Sequence, residues 1–199
     1  MLLIALTGGI GAGKSSAGSL LARLGAVHVS ADDLAREVLE RGEEGYNQVL
    51  AQFGDSILTN GLIDRAKLAE IIFNDEHKRN TLERITHPLI AQRFKEIREN
   101  LGEGNVLVYE IPLLAENPER AEEFDIILSI ETSEEIRRER LQLRGLSSSQ
   151  AERRIAAQAS EHQRRAIADH IIENDGDREA LLRRLEEWWA TFVAPRISS

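Results

Sequence analysis

The segment Gly8-Gly9-Ile10-Gly11-Ala12-Gly13-Lys14-Ser15 fits the pattern G-x-x-x-x-G-K-[ST] without a mismatch. Its glycines have a chemical reason. A loop that wraps a phosphate with backbone N–H groups needs angles and close approaches that side chains forbid. The helix that follows aims its positive N-terminus at the same anion. In such a loop Lys14 reaches the β- and γ-phosphates, and Ser15 offers its hydroxyl to Mg²⁺. The blander reading is a Gly-rich turn that merely joins a strand to a helix. The loop sits between a continuous apolar run and an amphipathic stretch, which favours nucleotide binding.

Transfer of a phosphoryl group needs more than a loop. It needs a group that orients or deprotonates the acceptor hydroxyl. In an open α/β sheet ligands bind outside the carboxyl ends of the strands, and the second such end carries Ser30-Ala31-Asp32-Asp33. One of these acids can serve as a helix cap or first-turn acid. Asp32 leaves the strand on the ligand side, so it takes the functional role and Asp33 the structural one.

Arginine supplies the remaining charge. Residues 137–165 hold eight Arg, three Glu and no Lys. Several of these arginines belong to a solvated helix face with i,i+4 ion pairs. Arg140 and Arg144 lie four apart on one predicted helix face, ahead of Gly145. From there a mobile lid can bring charge to a transferring phosphoryl group. The five His show no metal-ligand spacing. His28, His77, His162 and His170 read as surface or strand-end residues. His87 precedes Pro88, which pushes its backbone out of the helical region and turns its side chain toward a cleft.

These groups need a scaffold. Leu2–Leu6, Val106–Tyr109 and Phe124–Ile130 are continuous apolar runs, as expected of buried parallel strands; Ala26–Val29 and His170–Glu173 are weaker candidates. Lys14–Leu24 reads as the helix behind the loop. Leu82, Ile85, Leu89, Ile90, Phe94 and Ile97 mark a long helical stretch that Pro88 must kink or split. Thr132 with Glu135, and Ser147 with Gln150, fit capping boxes. Leu181, Leu182, Leu185, Trp188 and Trp189 line a last helix, its Trp pair in the core. Alternation of strands and helices predicts an α/β fold with a parallel sheet flanked by helices. The stretch from about Val38 to Leu101 shows no convincing strand and reads as a helical insertion.

Composition bounds the function. The 199 residues suit one compact unit. A net charge of -9 repels phosphate backbones at long range and argues against a nucleic-acid binder. Only four basic residues are Lys, against 21 Arg, so positive charge is spent on the side chain that grips phosphate bidentately. The absence of Cys removes disulfides and thiolate chemistry and fits a reducing, cytoplasmic setting. No apolar run approaches a membrane span, and the apolar start lacks the basic region of a signal peptide. A guanine-binding N-K-x-D run is absent, and Glu110 is followed by Ile111-Pro112 rather than by a second acid, which disfavours switch GTPases and mechanical ATPases. A small kinase remains.

Together these residues resemble the dephospho-CoA kinase family, and the likeness runs over nearly the whole chain. It includes Ala5-Leu6-Thr7-Gly8-Gly9-Ile10-Gly11 into Gly13-Lys14-Ser15, and Ala31-Asp32 before Leu34-Ala35-Arg36. It continues through Asp64-Arg65 with Leu68 and Phe73, His87-Pro88-Leu89-Ile90, and Ile111-Pro112-Leu113-Leu114 with Glu116. It closes with Arg140, Arg144, Gln158, Ala168-Asp169 and Asn174. The His-Pro and Pro-Leu-Leu elements in this order are much more specific than the loop.

The resemblance implies ATP-dependent phosphorylation of the ribose 3′-hydroxyl of dephospho-CoA, with Mg²⁺ accompanying ATP. It implies a P-loop kinase core with a five-stranded parallel sheet at about 1–37, 104–132 and 168–199, a helical CoA-binding insertion at about 38–103 and a lid at about 133–167. Asp32, Lys14 and Arg140 would be catalytic. ATP would be held by Gly11, Ala12, Gly13, Lys14, Ser15, Ser16, Arg140, Arg144 and Asn174, the last beside the adenine. The acceptor substrate would be held by Thr7, Asp32, Arg65, His87, Pro112, Leu113 and Leu114. A monomer or weak homo-oligomer, without nucleic-acid or membrane partners, is expected. The chain departs from the family at Ser30, where Asp is usual, at Glu110, often Asp, and at Ser16, usually Thr. A nucleoside or nucleoside-monophosphate kinase and a regulatory ATPase are the alternatives.

Overall fold

The computed structural model describes residues 1–73 and 75–197. In chain order the elements are β1 (Leu2–Gly8), α1 (Lys14–Arg23), β2 (Val27–Ser30), α2 (Ala31–Glu37) and α3 (Glu44–Phe53). Then come β3 (Leu58–Thr59), β4 (Leu62–Ile63), α4 (Arg65–Phe73), α5 (Glu76–Asn100), β5 (Val106–Glu110) and β6 (Ile126–Glu131). The chain ends with α6 (Glu134–Leu143), α7 (Ser148–Ala156), α8 (Glu161–Ile167), β7 (His170–Glu173), α9 (Arg178–Trp188), a π-helical turn (Trp189–Val193) and α10 (Ala194–Ile197). Two compact units result: residues 1–30 with 101–199, and residues 31–100. The second unit begins with α2.

In the first unit five parallel strands lie in the order β2-β5-β1-β6-β7. β1 is central, pairing Leu2 to Leu6 with Val106 to Glu110 on one side and Ile4 to Gly8 with Ile126 to Ile130 on the other. A strand with neighbours on both edges and helices on its faces has no solvent-facing side, which explains its unbroken apolar sequence. Ile4, Leu6, Val108, Leu128 and Ile130 pack with Leu20 and Leu21 of α1 and Leu181, Leu185 and Trp188 of α9. Trp189 is partly buried against the same cluster.

Helices α6 and α7 enclose a smaller cluster of Leu141, Ala151 and Ile155, joined by Ile10 of the loop. Ser147 and Gln150 form the expected capping box on α7. The α6 cap is not Thr132 but Ser133, whose hydroxyl accepts from the Ile136 N–H; Thr132 instead donates to Asp175 at 2.7 Å. A further capping box, Ser160 with Gln163, starts α8.

In the second unit Val49, Ile57 and Leu68 form a core lined by Leu39, Phe53, Leu82 and Ile85. Here the strandless reading is corrected: β3 and β4 form a two-residue hairpin around Asn60 (φ 53°) and Gly61 (φ 74°). Asn-Gly is the preferred pair for such a turn, and that signal stood in the sequence. At Pro88 the helix is not split, because α5 continues as one helix through it. His87 accordingly keeps helical backbone and is exposed.

Candidate active site

The glycine loop leaves the carboxyl end of β1 and closes onto α1 through Gly13, whose φ of 104° opens the helix in a left-handed conformation. A Cβ on Gly13 would lie 2.2 Å from Asn174 Nδ2, so both backbone angle and space demand glycine. The loop's carbonyls are met by side-chain donors. Lys14 Nζ donates to Gly8 O at 2.9 Å and Gly9 O at 3.2 Å. Arg137 Nε donates to Ile10 O at 2.9 Å. Arg140 Nη1 reaches Gly11 O and Ala12 O, both at 3.3 Å, and Asn174 Nδ2 donates to Ala12 O at 2.7 Å. With its carbonyls held by donors, the loop leads into the N-terminus of α1, where the helix dipole favours an anion.

Glu110 ends β5 beside this loop. Its Oε1 accepts the Ser15 hydroxyl at 3.1 Å, and its Oε2 meets His28 Nε2 at 3.1 Å. Burial raises the Glu110 pKa. The His28 hydrogen bond, the Lys14 charge and the Ser15 hydrogen bond together outweigh that and hold the carboxyl below its ordinary value. His28 thus proves to be a half-buried partner of Glu110 and not a surface histidine. The close approach of its ring requires Gly18, where a Cβ would lie 2.3 Å from Nε2. Glu110 and His28 lie on adjacent strands, and only strand order brings them together; linear spacing carries no such signal. Ser15 and Ser16 are exposed at the start of α1.

The arginine-rich span divides by environment. Arg138 with Glu134 and Arg165 with Glu161 are the i,i+4 surface pairs expected. Arg164 is buried, gripping both oxygens of buried Glu131 at 2.9 and 2.7 Å. Ser129 donates to the same carboxylate at 2.7 Å. Arg140 lies against the loop and also donates to Asn174 O at 2.9 Å, while Arg144 is exposed at the end of α6. The structure therefore brings Lys14, Arg140 and Asn174 around Gly11–Gly13, with Arg144 outside that set.

Among the acceptor-side candidates of the first unit, Thr7 is fully buried in β1 and its hydroxyl has no hydrogen-bond partner among the described residues. Pro112, Leu113 and Leu114 follow β5; Leu113 is exposed and Leu114 buried. Glu116, just beyond, accepts the Ala159 N–H at 2.8 Å and so ties this loop to the start of α8.

In the second unit Asp32 and Arg65 line one groove of about 300 Å³, with Arg36 at its rim and Leu39, Leu68, Ile72 and Leu82 on its walls. Asp33 is occupied by Arg36. Asp64 accepts from the Thr59 hydroxyl at 2.8 Å and from the Ala66 N–H at 3.0 Å, fixing the first turn of α4 that carries Arg65. His87 does not line this groove.

A parallel sheet of this strand order, with a G-x-x-x-x-G-K-S loop after its central strand and an arginine-bearing helix against that loop, defines a P-loop kinase. The sequence pattern of the dephospho-CoA kinase family matches residues 2–179, and the chain belongs to that family. It is 44% identical over 191 residues to the dephospho-CoA kinase of Thermobifida fusca, covering 95% of each chain. Among solved structures, a Thermus thermophilus protein superposes with a TM-score of 0.81 at 30% identity, covering 97% of this chain and 98% of that one. The dephospho-CoA kinase of Campylobacter jejuni superposes with a TM-score of 0.63 at 25% identity, covering 95% and 96%.

Proposed function

We propose that the chain transfers the γ-phosphoryl group of ATP to the ribose 3′-hydroxyl of dephospho-CoA, giving CoA and ADP. Family membership carries the choice of substrate. The loop geometry supports the donor: it opens onto the N-terminus of α1, and its carbonyls are engaged by the donors Lys14, Arg137, Arg140 and Asn174.

In this reading Gly11, Ala12, Gly13, Ser15 and Ser16 hold the β- and γ-phosphates. Lys14 exchanges its contacts to Gly8 O and Gly9 O for the phosphate oxygens as ATP arrives. Arg140, Arg144 and Asn174 bind from the segment assigned as lid (about 133–167) and its neighbourhood. Asp32 orients the 3′-hydroxyl and takes its proton as the oxygen attacks phosphorus and the bond to the ADP oxygen breaks. Thr7, Arg65, His87, Pro112, Leu113 and Leu114 are assigned to the CoA-type substrate, with the insertion near 38–103 as its domain. The buried, unpartnered Thr7 hydroxyl and the shared groove of Asp32 and Arg65 support that assignment.

Magnesium fits the residues present. Hard oxygen donors suit Mg²⁺, and the exposed Ser15 hydroxyl with the ionised Glu110 carboxylate supplies them. When bound, the ion neutralises charge on the β- and γ-phosphate oxygens. A cytoplasmic setting fits the cysteine-free composition, and a monomer or weak homo-oligomer is the proposed state; among the described residues no helix is long and apolar enough to cross a membrane. Product analysis after incubation with MgATP and dephospho-CoA tests the proposal, through the position of the new phosphate.

A further inference from the structure

Ile10 is bound at both of its peptide groups by side chains. Its N–H donates to Gln158 Oε1 at 2.7 Å, and its carbonyl accepts from Arg137 Nε at 2.9 Å. Arg137 Nη2 donates in turn to Gln158 Oε1 at 3.3 Å, which closes a ring of three hydrogen bonds around one loop residue. The Ile10 side chain meanwhile packs with Leu141, Ala151 and Ile155 of α6 and α7. The loop is thereby fixed to elements more than a hundred residues away in sequence.

The placement of Arg137 is costly unless it serves the loop. The residue is only 5% exposed. Burial and the charge of Arg164 weaken its hold on a proton, with Glu131, Glu134 and Glu161 opposing. Yet the Glu131 carboxylate is gripped by Arg164, and among the described residues Arg137 makes no ion pair of its own. A guanidinium stays charged throughout the physiological range. Its charge thus lies beside the phosphate loop without a carboxylate bonded to it. The guanidinium also fills the space that a side chain at position 9 would take: a Cβ there would lie 2.5 Å from Arg137 Cζ. A side chain at position 9 would therefore have to displace the guanidinium from its hydrogen bonds to Ile10 and Gln158.

We infer that Arg137 and Gln158 are a coupled pair of positioning residues, which clamp the Ile10 peptide and set the phosphate-binding loop in its nucleotide-ready shape before ATP arrives. Holding the loop in advance removes part of the ordering cost of binding, so the benefit falls on nucleotide affinity. In this proposal both residues act through the loop. This deepens the function proposed above and rests on it.

The test combines Arg137→Met, Gln158→Met, the double variant and Gln158→Glu in the full chain. Gln158→Glu keeps an acceptor oxygen for the Ile10 N–H and for Arg137, whereas Gln158→Met keeps only the volume. Binding of a non-hydrolysable ATP analogue with Mg²⁺ is measured by calorimetry, and KM is measured for both substrates. Each Met variant should weaken analogue binding and raise KM for ATP about tenfold, the scale of a lost charge-assisted hydrogen bond. The double variant should be no worse than the poorer single one, because either change opens the ring. Gln158→Glu should bind within about twofold of the parent, and KM for dephospho-CoA should stay put throughout. Three results overturn the clamp: variants that melt earlier yet bind the analogue normally, effects that add in the double variant, or equal rises in both KM values. If Arg137→Met does not fold, the contrast between Gln158→Met and Gln158→Glu decides alone, since Gln158 is only half-buried. A parent protein that fails to bind the analogue would sink the proposed function instead.

Discussion

The Ser15 hydroxyl donates to the Glu110 carboxylate at 3.1 Å, linking the first turn of α1 to the end of β5. The carboxyl is buried, which raises its pKa, but His28, Lys14 and Ser15 hold it below its ordinary value of 4.5. Because the folded value is the lower one, ionised Glu110 favours the folded state above the ordinary value. That contribution is lost as pH falls through the folded value. In urea titrations the stability gap between the parent and Glu110→Gln should be constant from pH 7 to about 5 and narrow below that. A gap that closes above pH 5 contradicts a lowered carboxyl.

Gly18 sits inside α1, where alanine ordinarily stabilises a helix by about 1 kcal/mol. Here the sign should reverse, because a Cβ would lie 2.3 Å from His28 Nε2 and displace the ring from Glu110. Gly18→Ala should lower Tm, and adding His28→Ala to Gly18→Ala should recover part of the loss. If the second change deepens the loss instead, the clash is not the cause.

Arg164 and Glu131 form a pair with side chains 3% and 0% exposed. Removing one partner of such a pair strands a buried charge and costs about 3–5 kcal/mol, whereas replacing both by apolar residues costs much less. Arg164→Met should therefore be less stable than Arg164→Met combined with Glu131→Met. Urea unfolding at neutral pH checks the order.

Asp32→Asn keeps the shape of α2 and removes the carboxylate proposed as the acceptor-side base. It should lower kcat by roughly 10²–10⁴ with unchanged Tm. Lys14→Ala should impair transfer more than retention of nucleotide, because backbone N–H groups share the holding. Near-normal kcat in Asp32→Asn would remove that residue from the reaction.

Local patterns carried much of the fold. The apolar runs became β1, β5 and β6, and Ser147 with Gln150 became a cap because capping is written within four residues. The hairpin at Asn60-Gly61 was equally local, but its two-residue strands are too short to alternate. Pro88 does not split α5, and His87 keeps helical backbone before it, because the helix persists through both residues. The site was legible only where one segment holds it. The loop was plain, but the partners Glu110 and His28 depend on β2 and β5 being neighbours. Arg137 of α6 and Arg164 of α8 look like surface arginines in helices with many charges. Their burial follows from contacts with Ile10 and Glu131, far off in sequence.

The most direct measurement mixes the protein with MgATP, with and without dephospho-CoA, following ADP release and locating the product phosphate by mass spectrometry. ADP should form in step with CoA, with the new phosphate on the ribose 3′-oxygen and little turnover when dephospho-CoA is omitted. ATP hydrolysis indifferent to dephospho-CoA, or phosphate appearing only on a nucleoside or nucleotide acceptor, would contradict it.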